Sequence, residues 1–405
     1  MAQPGAAVQA PRQQSPQQQD QMATQAILRN AIDRTQQVAS QQVFPASNPQ
    51  LIVQPLNVGL IKRFIIEVTG TITNSGSTTI SLTDFGLANL FGQGGVQYTD
   101  LNNYLRVNTS GAHLAILSDA KRRRPFGGTY QANTNNGSNL SQMLNVGPAT
   151  WGVFQAPQTI ATTASGNFRA VFELPLAYSD DDLRGAIYAN VLNAVQQITL
   201  TFNNAVVTAN PNDNTFAVYS GAAGSAGSIT SATVTIYQEY LDQLPMSQAG
   251  VVLPQLSLST VYELKSVLYQ GGIAQNQEFY ISYANQRSFI STVAVFNSTG
   301  TNAGRLYGSD VSYWALLAAN SSYIWKIDPL LAAQRSRDHL TIDLPAGTYY
   351  FPTRRKNLAT LQYGNLQLTL NALSSDASAY CNVMLEDFAL LNTLQSGASL
   401  SPGGN

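Results

Sequence analysis

The sequence predicts an all-β protein with two similar domains in tandem. Apolar and polar residues alternate in segments such as FIIEVTGTIT (64–73), as in half-buried antiparallel strands. Helical patterns are few. An internal echo indicates a duplication, because each half holds a helix that ends in basic residues, then a strand (ITLTFNNA or LQLTLNAL), then a closing strand that turns acidic and aromatic. Two antiparallel β domains imply sandwiches or jelly rolls.

The N-terminal segment, residues 1–44, is predicted to be an arm. Up to about Asp20 it is rich in proline and glutamine, which is typical of disorder. From Met22 to Ala39 apolar residues recur at spacings of three and four, which predicts a helix with one weakly apolar face. Since an isolated helix of this length is marginal in water, we expect it to dock on its own domain, or to grip a neighbouring subunit or lie near a membrane. The assembly face comprises Ile27, Leu28, Ala31, Ile32 and Val38.

The first β domain is predicted to span residues 45–245. The segment NSGS (74–77) is typical of a turn, so the following TTISLTDF is expected to pair with the strand before it. The segment SGAHLAILSDAKRRR (110–124) predicts a helix, because a serine can cap its start and the basic residues at its end complement the helix dipole. Further strands are predicted at NFRAVFELPL (167–176) and QQITLTFNNAV (196–206).

The stretch SATVTIYQEYLDQLP (231–245) is predicted to close the first domain. It begins as an alternating strand, becomes acidic and leucine-rich, and stops at a proline. Its echo, AYCNVMLEDFALL, ends the second half in the same way. Pro245 and Pro254 bracket the linker, which we expect to be short and packed and not a flexible hinge. The inter-barrel joint is predicted to comprise Tyr237, Tyr240, Leu241, Leu244 and Pro245.

The second β domain is predicted to span residues 246–395, with a flexible tail at 396–405. Strand patterns resume after Pro254, in segments such as SFISTVAVF and LQLTLNAL. The one clear helix of this half is IDPLLAAQRSRDH (327–339).

Residues that could support catalysis are few and scattered. The two histidines, His113 and His339, each fall in a predicted helix or at its end, whereas a jelly-roll metalloenzyme needs a cluster of histidines on strands. Cys381 lies in a predicted strand without a nearby histidine, so we interpret it as an inert buried thiol. The sequence contains no phosphate-binding Walker loop and no dinucleotide fingerprint. It therefore predicts neither an enzyme nor a bound cofactor.

The charge of the chain indicates what its surface contacts. Charged residues are only 11% of the chain and the formal net charge is −1, so nothing global attracts nucleic acid or anionic membranes. Such a polar, weakly charged surface suits a protein whose outside mostly faces other protein. Two short basic runs remain candidates for contact with a phosphate of lipid or nucleic acid. They are Lys121, Arg122, Arg123 and Arg124, and the run from Arg354 to Lys356.

Several segments carry a resemblance to a known family. In order and spacing, from about residue 44 to about residue 365, they resemble the major capsid protein of the tectiviruses, which are tailless icosahedral bacteriophages with an internal membrane. The first 40 residues or so and the last 30 or so match that family only in character. The matching segments are FGLANL (85–90), ELPLAYSDDDLRGAIYANV (173–191), YQEYLDQLP (237–245), STVAVF (291–296) and TLQYGN (360–365).

The resemblance implies a fold and an assembly. The fold would be a double jelly roll, two eight-stranded barrels in one chain with an N-terminal helical arm and few short helices. Three chains would form a homotrimeric, pseudo-hexagonal capsomer, and neighbouring trimers would tile an icosahedral shell over a lipid vesicle that encloses double-stranded DNA.

The resemblance also implies partners and a location. The arm would lie near the vesicle, penton or vertex proteins and minor capsid proteins would be further partners, and no sequence-specific binding of nucleic acid is expected. The protein would be made in the bacterial cytoplasm and reside in the virion. A second hypothesis is a β-rich receptor- or carbohydrate-binding spike of a virion, because trimeric spikes also combine low charge with loops rich in Asn, Ser and Thr.

The packed joint leads to a first testable prediction. Limited proteolysis of the native protein should not release two independent halves by cleavage between Pro245 and Pro254, because a packed linker resists the unfolding that a protease requires. Mass spectrometry and gel filtration of the digest measure this outcome. Two separately folded halves that part after cleavage would contradict a fixed joint.

Overall fold

The computed structural model describes most of the chain. The described residues are 15–122, 156–191, 194–209, 217–248, 250–270, 272, 274–283, 287–298, 304–305, 310–318, 322–340, 344–345, 347–353, 358–359, 366–373, 375 and 378–390. Within them the helices are α1 (Pro16–Asn30), α2 (Gly111–Arg122), α3 (Gln255–Leu258) and α4 (Pro329–Arg337), with one 3-10 helix, η1 (Gly86–Leu90).

Strands dominate the first half of the chain. They are β1 (Ile32–Val43), β2 (Gln50–Val53), β3 (Leu60–Asn74), β4 (Ile80–Leu82), β5 (Val96–Thr99), β6 (Leu105–Thr109), β7 (Thr159–Ile160), β8 (Ser165–Pro175), β9 (Ile187–Tyr188), β10 (Gln197–Thr201), β11 (Val207–Thr208), β12 (Tyr219–Ser220) and β13 (Gly227–Asp242). The linker that follows forms a small hairpin of β14 (Met246–Ser247) and β15 (Gly250–Val251).

Strands dominate the second half as well. They are β16 (Thr260–Gln270), β17 (Glu278–Ser282), β18 (Ser288–Ser298), β19 (Gly304–Arg305), β20 (Val311–Ala318), β21 (Ser322–Ile327), β22 (Thr348–Pro352), β23 (Leu358–Ala359), β24 (Leu366–Ala372) and β25 (Ala379–Leu390).

The two halves share one topology. In the first, the strand orders are β1-β13-β3-β8 and β2-β10-β5-β6; in the second, they are β16-β25-β18-β22 and β17-β24-β20-β21. Counting the eight principal strands of each half along the chain, both halves have the order 1-8-3-6 in one sheet and 2-7-4-5 in the other. Helices α2 and α4 both follow the fifth of these strands. This is the double jelly roll that the family resemblance implied, and the internal echo aligned equivalent elements.

Alternation along β3 explains how one sheet faces the core. Ile66, Val68 and Ile72 are fully buried, whereas Glu67 and Thr69 between them are half-buried. Successive side chains of a strand point to opposite faces, so the apolar set covers the interior of the first barrel.

The prediction that TTISLTDF pairs with β3 in a hairpin is wrong. The segment TTISLTDF contributes β4, which pairs with β12 and β7 in a separate small sheet, while β3 pairs with β13 and β8. A turn motif predicts only a change of direction, and the long partners β13 and β8 offer β3 many more backbone hydrogen bonds than a three-residue strand can.

The helix of the arm is shorter than predicted, and it both starts and ends earlier in the sequence. Helix α1 begins at Pro16, where Ser15 and Gln18 form a capping box, so residues 16–20 are helical and not of the disordered type that their composition predicted. The helix ends at Asn30, and residues 32–43, which include Ile32 and Val38, form β1.

Strand β1 is the first strand of the first barrel. It pairs antiparallel with β13 from Ile32 opposite Asp242 to Val43 opposite Ala232. The predicted boundary of the arm at residue 44 is therefore wrong, because residues 32–43 belong to the barrel and, among the described residues, only 15–31 precede it. A weak helical face cannot compete with the row of backbone donors and acceptors that β13 presents.

One continuous sheet crosses from the first barrel to the second. Strand β6 pairs in parallel with β16 at Val107 opposite Leu264 and at Asn108 opposite Lys265. The sheet therefore runs β18-β25-β16-β6-β5-β10-β2 through both barrels. The largest buried apolar cluster likewise contains residues of both, Ile116 of α2 and Met384 of β25 among them.

The position of β1 leads to a second prediction. A chain that starts at residue 45 lacks β1 and leaves the edge of β13 unpaired, so its melting temperature should fall by more than about 5 °C, or the chain should fail to fold. A chain that starts at residue 15 retains every described element and is the matched control. Calorimetry of both truncations measures the difference, and equal melting temperatures would contradict the placement of β1.

Candidate functional site: the joint between the barrels

A buried aliphatic cluster unites the arm and the end of β13. We call it the joint cluster; it consists of Ile27, Leu60, Ala177, Leu183, Ala186 and Leu241, with Ala31, Tyr188, Leu244 and Leu258 packed against it. Ile27 of α1 is fully buried there. Ile27 and Ala31 of the predicted arm face therefore meet Leu241 and Leu244 of the predicted joint in one cluster.

Asp20 of α1 forms hydrogen bonds with the start of the second half. Its Oδ1 accepts hydrogen bonds from the backbone N–H of Leu256 at 2.7 Å and from that of Ser257 at 3.3 Å. Its Oδ2 accepts a hydrogen bond from the Ser257 hydroxyl at 2.6 Å. These N–H groups belong to the first turn of α3, where a carboxylate is favourable. The arm helix thus spans the linker between the barrels.

The predicted assembly residues divide between two environments. Ile27 and Ala31 contact the joint cluster, and Val38 packs against the core of the first barrel from β1. In contrast, the exposed fractions of Leu28 and Ile32 are 37% and 43%. The helical spacing placed all five on one face, but α1 ends before Ile32, so they do not share one.

The predicted joint residues lie along the end of β13 and beyond it. Tyr237 is half-buried opposite Gln37 of β1, and the Tyr240 hydroxyl donates a hydrogen bond to Gln36 Oε1 at 3.2 Å. The Pro245 carbonyl accepts a hydrogen bond from the Val252 N–H at 2.8 Å, and this bond closes the linker hairpin.

Lys121 joins the two barrels from the end of α2. Its ammonium lies 2.9 Å from Glu386 Oε1 of β25 and donates to the Tyr262 hydroxyl of β16 at 2.6 Å and to the Tyr178 carbonyl at 3.0 Å. It also lies over the rings of Tyr178 and Tyr262, at 4.6 and 4.3 Å from their centroids. A cation held by a carboxylate and two aromatic faces has little freedom to move.

The contact of Lys121 with Glu386 differs from the phosphate contact that the sequence predicted for it. The sequence predicted a basic run that could touch a phosphate, but the ammonium of Lys121 is directed into the fold, with the side chain 23% exposed. The reason is the buried carboxylate of Glu386, which requires a cationic partner. The side chain of Arg122 is not described, and Arg123, Arg124 and the run 354–356 lie outside the described residues, as does the TLQYGN segment.

Glu386 is ionised despite its burial. Burial opposes the charged form, but the Lys121 ammonium and hydrogen bonds from Ser291 and Tyr262 outweigh it, so the pKa of Glu386 lies below its ordinary value. The carboxylate is thus a fixed negative charge at the centre of the joint.

A second polar network crosses the joint at Glu263 of β16. The Tyr104 hydroxyl of the first barrel donates to its carboxylate, which lies 3.0 Å from Lys265 Nζ and 3.5 Å from Arg287 Nη2. Burial and the charge of Glu263 raise the pKa of Asp387 well above its ordinary value. The neutral form of Asp387 is therefore favoured relative to an exposed aspartate.

Sequence reasoning missed the residues that form these networks. It noted that each half closes with acidic and aromatic residues, but it did not assign Glu386 or Asp387 a partner. The available signal was two carboxylates in the otherwise apolar strand AYCNVMLEDFAL, since a buried acid requires a buried cation or a proton. The choice of Lys121 as partner depends on the packing of α2 against the second barrel.

His113 and Cys381 have structural roles. His113 is fully buried in α2, with Nδ1 2.6 Å from the Thr109 hydroxyl, and burial lowers its pKa to about 3. Burial raises the pKa of the Cys381 thiol. Within the described ranges, no three metal-ligating side chains are placed to hold an ion, and no helix is long and apolar enough to cross a bilayer.

Comparison with known proteins finds one family across both halves. Residues 2–244 match the family described as P3 major capsid protein N-terminal, and residues 259–401 match P3 major capsid protein C-terminal. The chain is 37% identical over 390 residues to the major capsid protein P3 of Enterobacteria phage PRD1, covering 94% of this chain and 93% of that protein.

Solved structures with similar folds come from other viruses. The major capsid protein of STIV aligns with a TM-score of 0.60 at 12% identity, covering 91% of this chain and all of the other. A chain from the atomic structure of Sulfolobus Turreted Icosahedral Virus aligns with a TM-score of 0.59 at 12% identity, covering 90% and 93%. At this identity the similarity concerns the fold alone.

The Lys121–Glu386 pair leads to a third prediction. Lys121→Met should lower the free energy of unfolding by about 3 kcal/mol, because it leaves a charge buried without its partner. Arg34→Met, which breaks the exposed pair with Asp242, is the matched control and should cost less than about 1 kcal/mol. Urea denaturation at neutral pH measures both, and equal losses would contradict the structural role of Lys121.

The same pair predicts a dependence on pH. Because the pKa of Glu386 is lowered in the folded state, its stabilisation is present above the unfolded value of about 4.3 and is lost as the pH falls through the folded value. The double variant Lys121→Met/Glu386→Gln should recover most of the loss caused by Lys121→Met and lack this acid-dependent decline.

Proposed function

The chain belongs to the family of P3 major capsid proteins, and from that premise we propose how its double jelly roll builds a shell. It is a structural protein of the virion and not an enzyme, and its location is the capsid shell.

The proposed unit is a rigid brick made of two barrels that do not move relative to each other. The observation that carries it is the sheet that continues through both barrels at Val107 and Leu264. The ion pair of Lys121 with Glu386 and the hydrogen bond of Tyr104 to Glu263 support the same interpretation, because each crosses the joint in a buried place. We propose that the first barrel ends at Pro245 and that the joint fixes the angle between barrels.

We propose that three such bricks form a homotrimer with six barrels and a pseudo-hexagonal outline. Neighbouring trimers would then tile an icosahedral shell around a lipid vesicle with double-stranded DNA inside, and penton or vertex proteins and minor capsid proteins would complete it. Support comes from the family and from the low content of charged residues, since charge is depleted from the cores of protein interfaces.

We propose that α1 contacts a neighbouring subunit through its outer side. Its inner side is committed to the joint cluster through Ile27, whereas Met22 and Leu28 remain 53% and 37% exposed on the outside. Ile32, at the start of β1, is exposed nearby. A weak contact of this size becomes effective when it is repeated over many copies in a shell.

We also propose that this end of the brick faces the vesicle. Arg29 lies in the last turn of α1, beside the exposed apolar side chains, and a cation near apolar residues suits the surface of an anionic bilayer. The hypothesis of a receptor- or carbohydrate-binding spike is not favoured, because both halves match major capsid proteins.

The outer side of α1 leads to a fourth prediction. Met22→Gln/Leu28→Gln should leave the melting temperature and oligomeric state of the purified protein unchanged but lower the yield of closed shells, because only the contact between units is weakened. Electron microscopy of assembled particles and calorimetry of the purified protein measure the two effects.

Ile27→Ala is the contrasting variant, because Ile27 adjoins Leu28 in sequence but faces the joint cluster. It should lower the free energy of unfolding by about 2–4 kcal/mol. Wild-type yields of shells from the double glutamine variant would overturn the proposed contact of α1.

A further inference from the structure

A cavity opens between the two sheets of the second barrel, beside the C-terminal end of α4. Its volume is about 250 Å³, and aromatic side chains, Trp325 and Phe351 among them, form much of its wall. The Trp325 and Phe351 rings are stacked, with centroids 5.2 Å apart. A dry cavity of about 150 Å³ already binds benzene, so this one can hold a somewhat larger apolar group.

The cavity reaches into the interior of the barrel. Phe289 of β18 and Leu316 of β20 line it, and both are buried side chains of opposite sheets. It is therefore not a surface dimple between exposed residues. Its volume lies below the range of about 300–1,000 Å³ for drug-sized ligands, which favours one short acyl chain or one small ring system.

Arg335 supplies a positive charge to the lining of the cavity. It lies in the last turn of α4, and His339, two residues beyond the end of that helix, lines the cavity as well. Ser336 fixes this turn, because its hydroxyl accepts the Tyr350 N–H at 2.9 Å and donates to the Ala332 carbonyl at 3.0 Å. Among the described residues that line the cavity, none is an aspartate or a glutamate.

We propose that the second barrel binds a small amphipathic carboxylate in this cavity. The apolar body lies against Phe289, Leu316 and Trp325, and the carboxylate lies at the mouth against the Arg335 guanidinium, whose planar fork matches a carboxylate. The site is independent of the joint and of the outer side of α1. A bound ligand would connect α4 with both sheets and stabilise the barrel by mass action.

Decanoate is the probe that tests the proposal, with decanol as its uncharged analogue, on the full-length protein. Isothermal titration calorimetry should show one decanoate per chain and a negative heat-capacity change, the mark of apolar burial. Arg335→Gln should weaken decanoate about tenfold or more while leaving decanol unchanged, because only the charged head contacts the guanidinium. Arg337→Gln, two residues away on the same helix and not part of the lining, is the matched control.

Two further measurements locate the ligand. Ile324→Trp fills the cavity and should abolish binding of both probes. Because that variant could fold poorly, a second measurement uses 10-bromodecanoate and the protein with its native cavity lining. The bromine should quench the fluorescence of Trp325. The variant Trp325→Phe should no longer show this quenching. The absence of saturable decanoate binding, or binding without quenching of Trp325, would overturn the proposal.

Discussion

The ion pair between Lys121 and Glu386 fixes the relation between the two barrels. A carboxylate that is 1% exposed at the centre of a strand has to be matched by a cation or take up a proton. Lys121 reaches it because the end of α2 lies against β16 and β25. This packing brings the first barrel onto the second and places β6 beside β16, where the shared sheet forms.

The arm then lies over the same joint. Ile27 fills an aliphatic cluster with Leu241 at the end of β13, and Asp20 accepts hydrogen bonds from the first turn of α3. Residues before the first barrel thus contact the segment that leads into the second. For a shell protein this arrangement matters, because repeated contacts between copies require a constant angle between the barrels.

The distribution of charged residues also favours a fixed joint between the barrels. Charged residues are scarce in this chain, yet several occupy the joint, where Glu263, Lys265 and Arg287 meet Tyr104. Buried ionic groups of this kind contribute little net stability compared with apolar residues of similar size. Their contribution is geometric, because unpaired charges make an alternative docking of the barrels costly.

The fold class, the duplication and the positions of most strands and of helices α2 and α4 follow from local signals in the sequence, namely alternation, caps and turn residues. The echo between ITLTFNNA and LQLTLNAL identified equivalent strands of the two barrels. Contacts between distant segments account for the remaining features. Residues 32–43 carry a weak helical pattern but form β1, because β13 offers backbone partners from a distant part of the chain. Lys121 belongs to a basic run but points inward, because Glu386 lies 265 residues away in sequence and 2.9 Å away in space. Such pairings depend on which elements pack together in the fold, and a local sequence pattern does not specify the partners of an element.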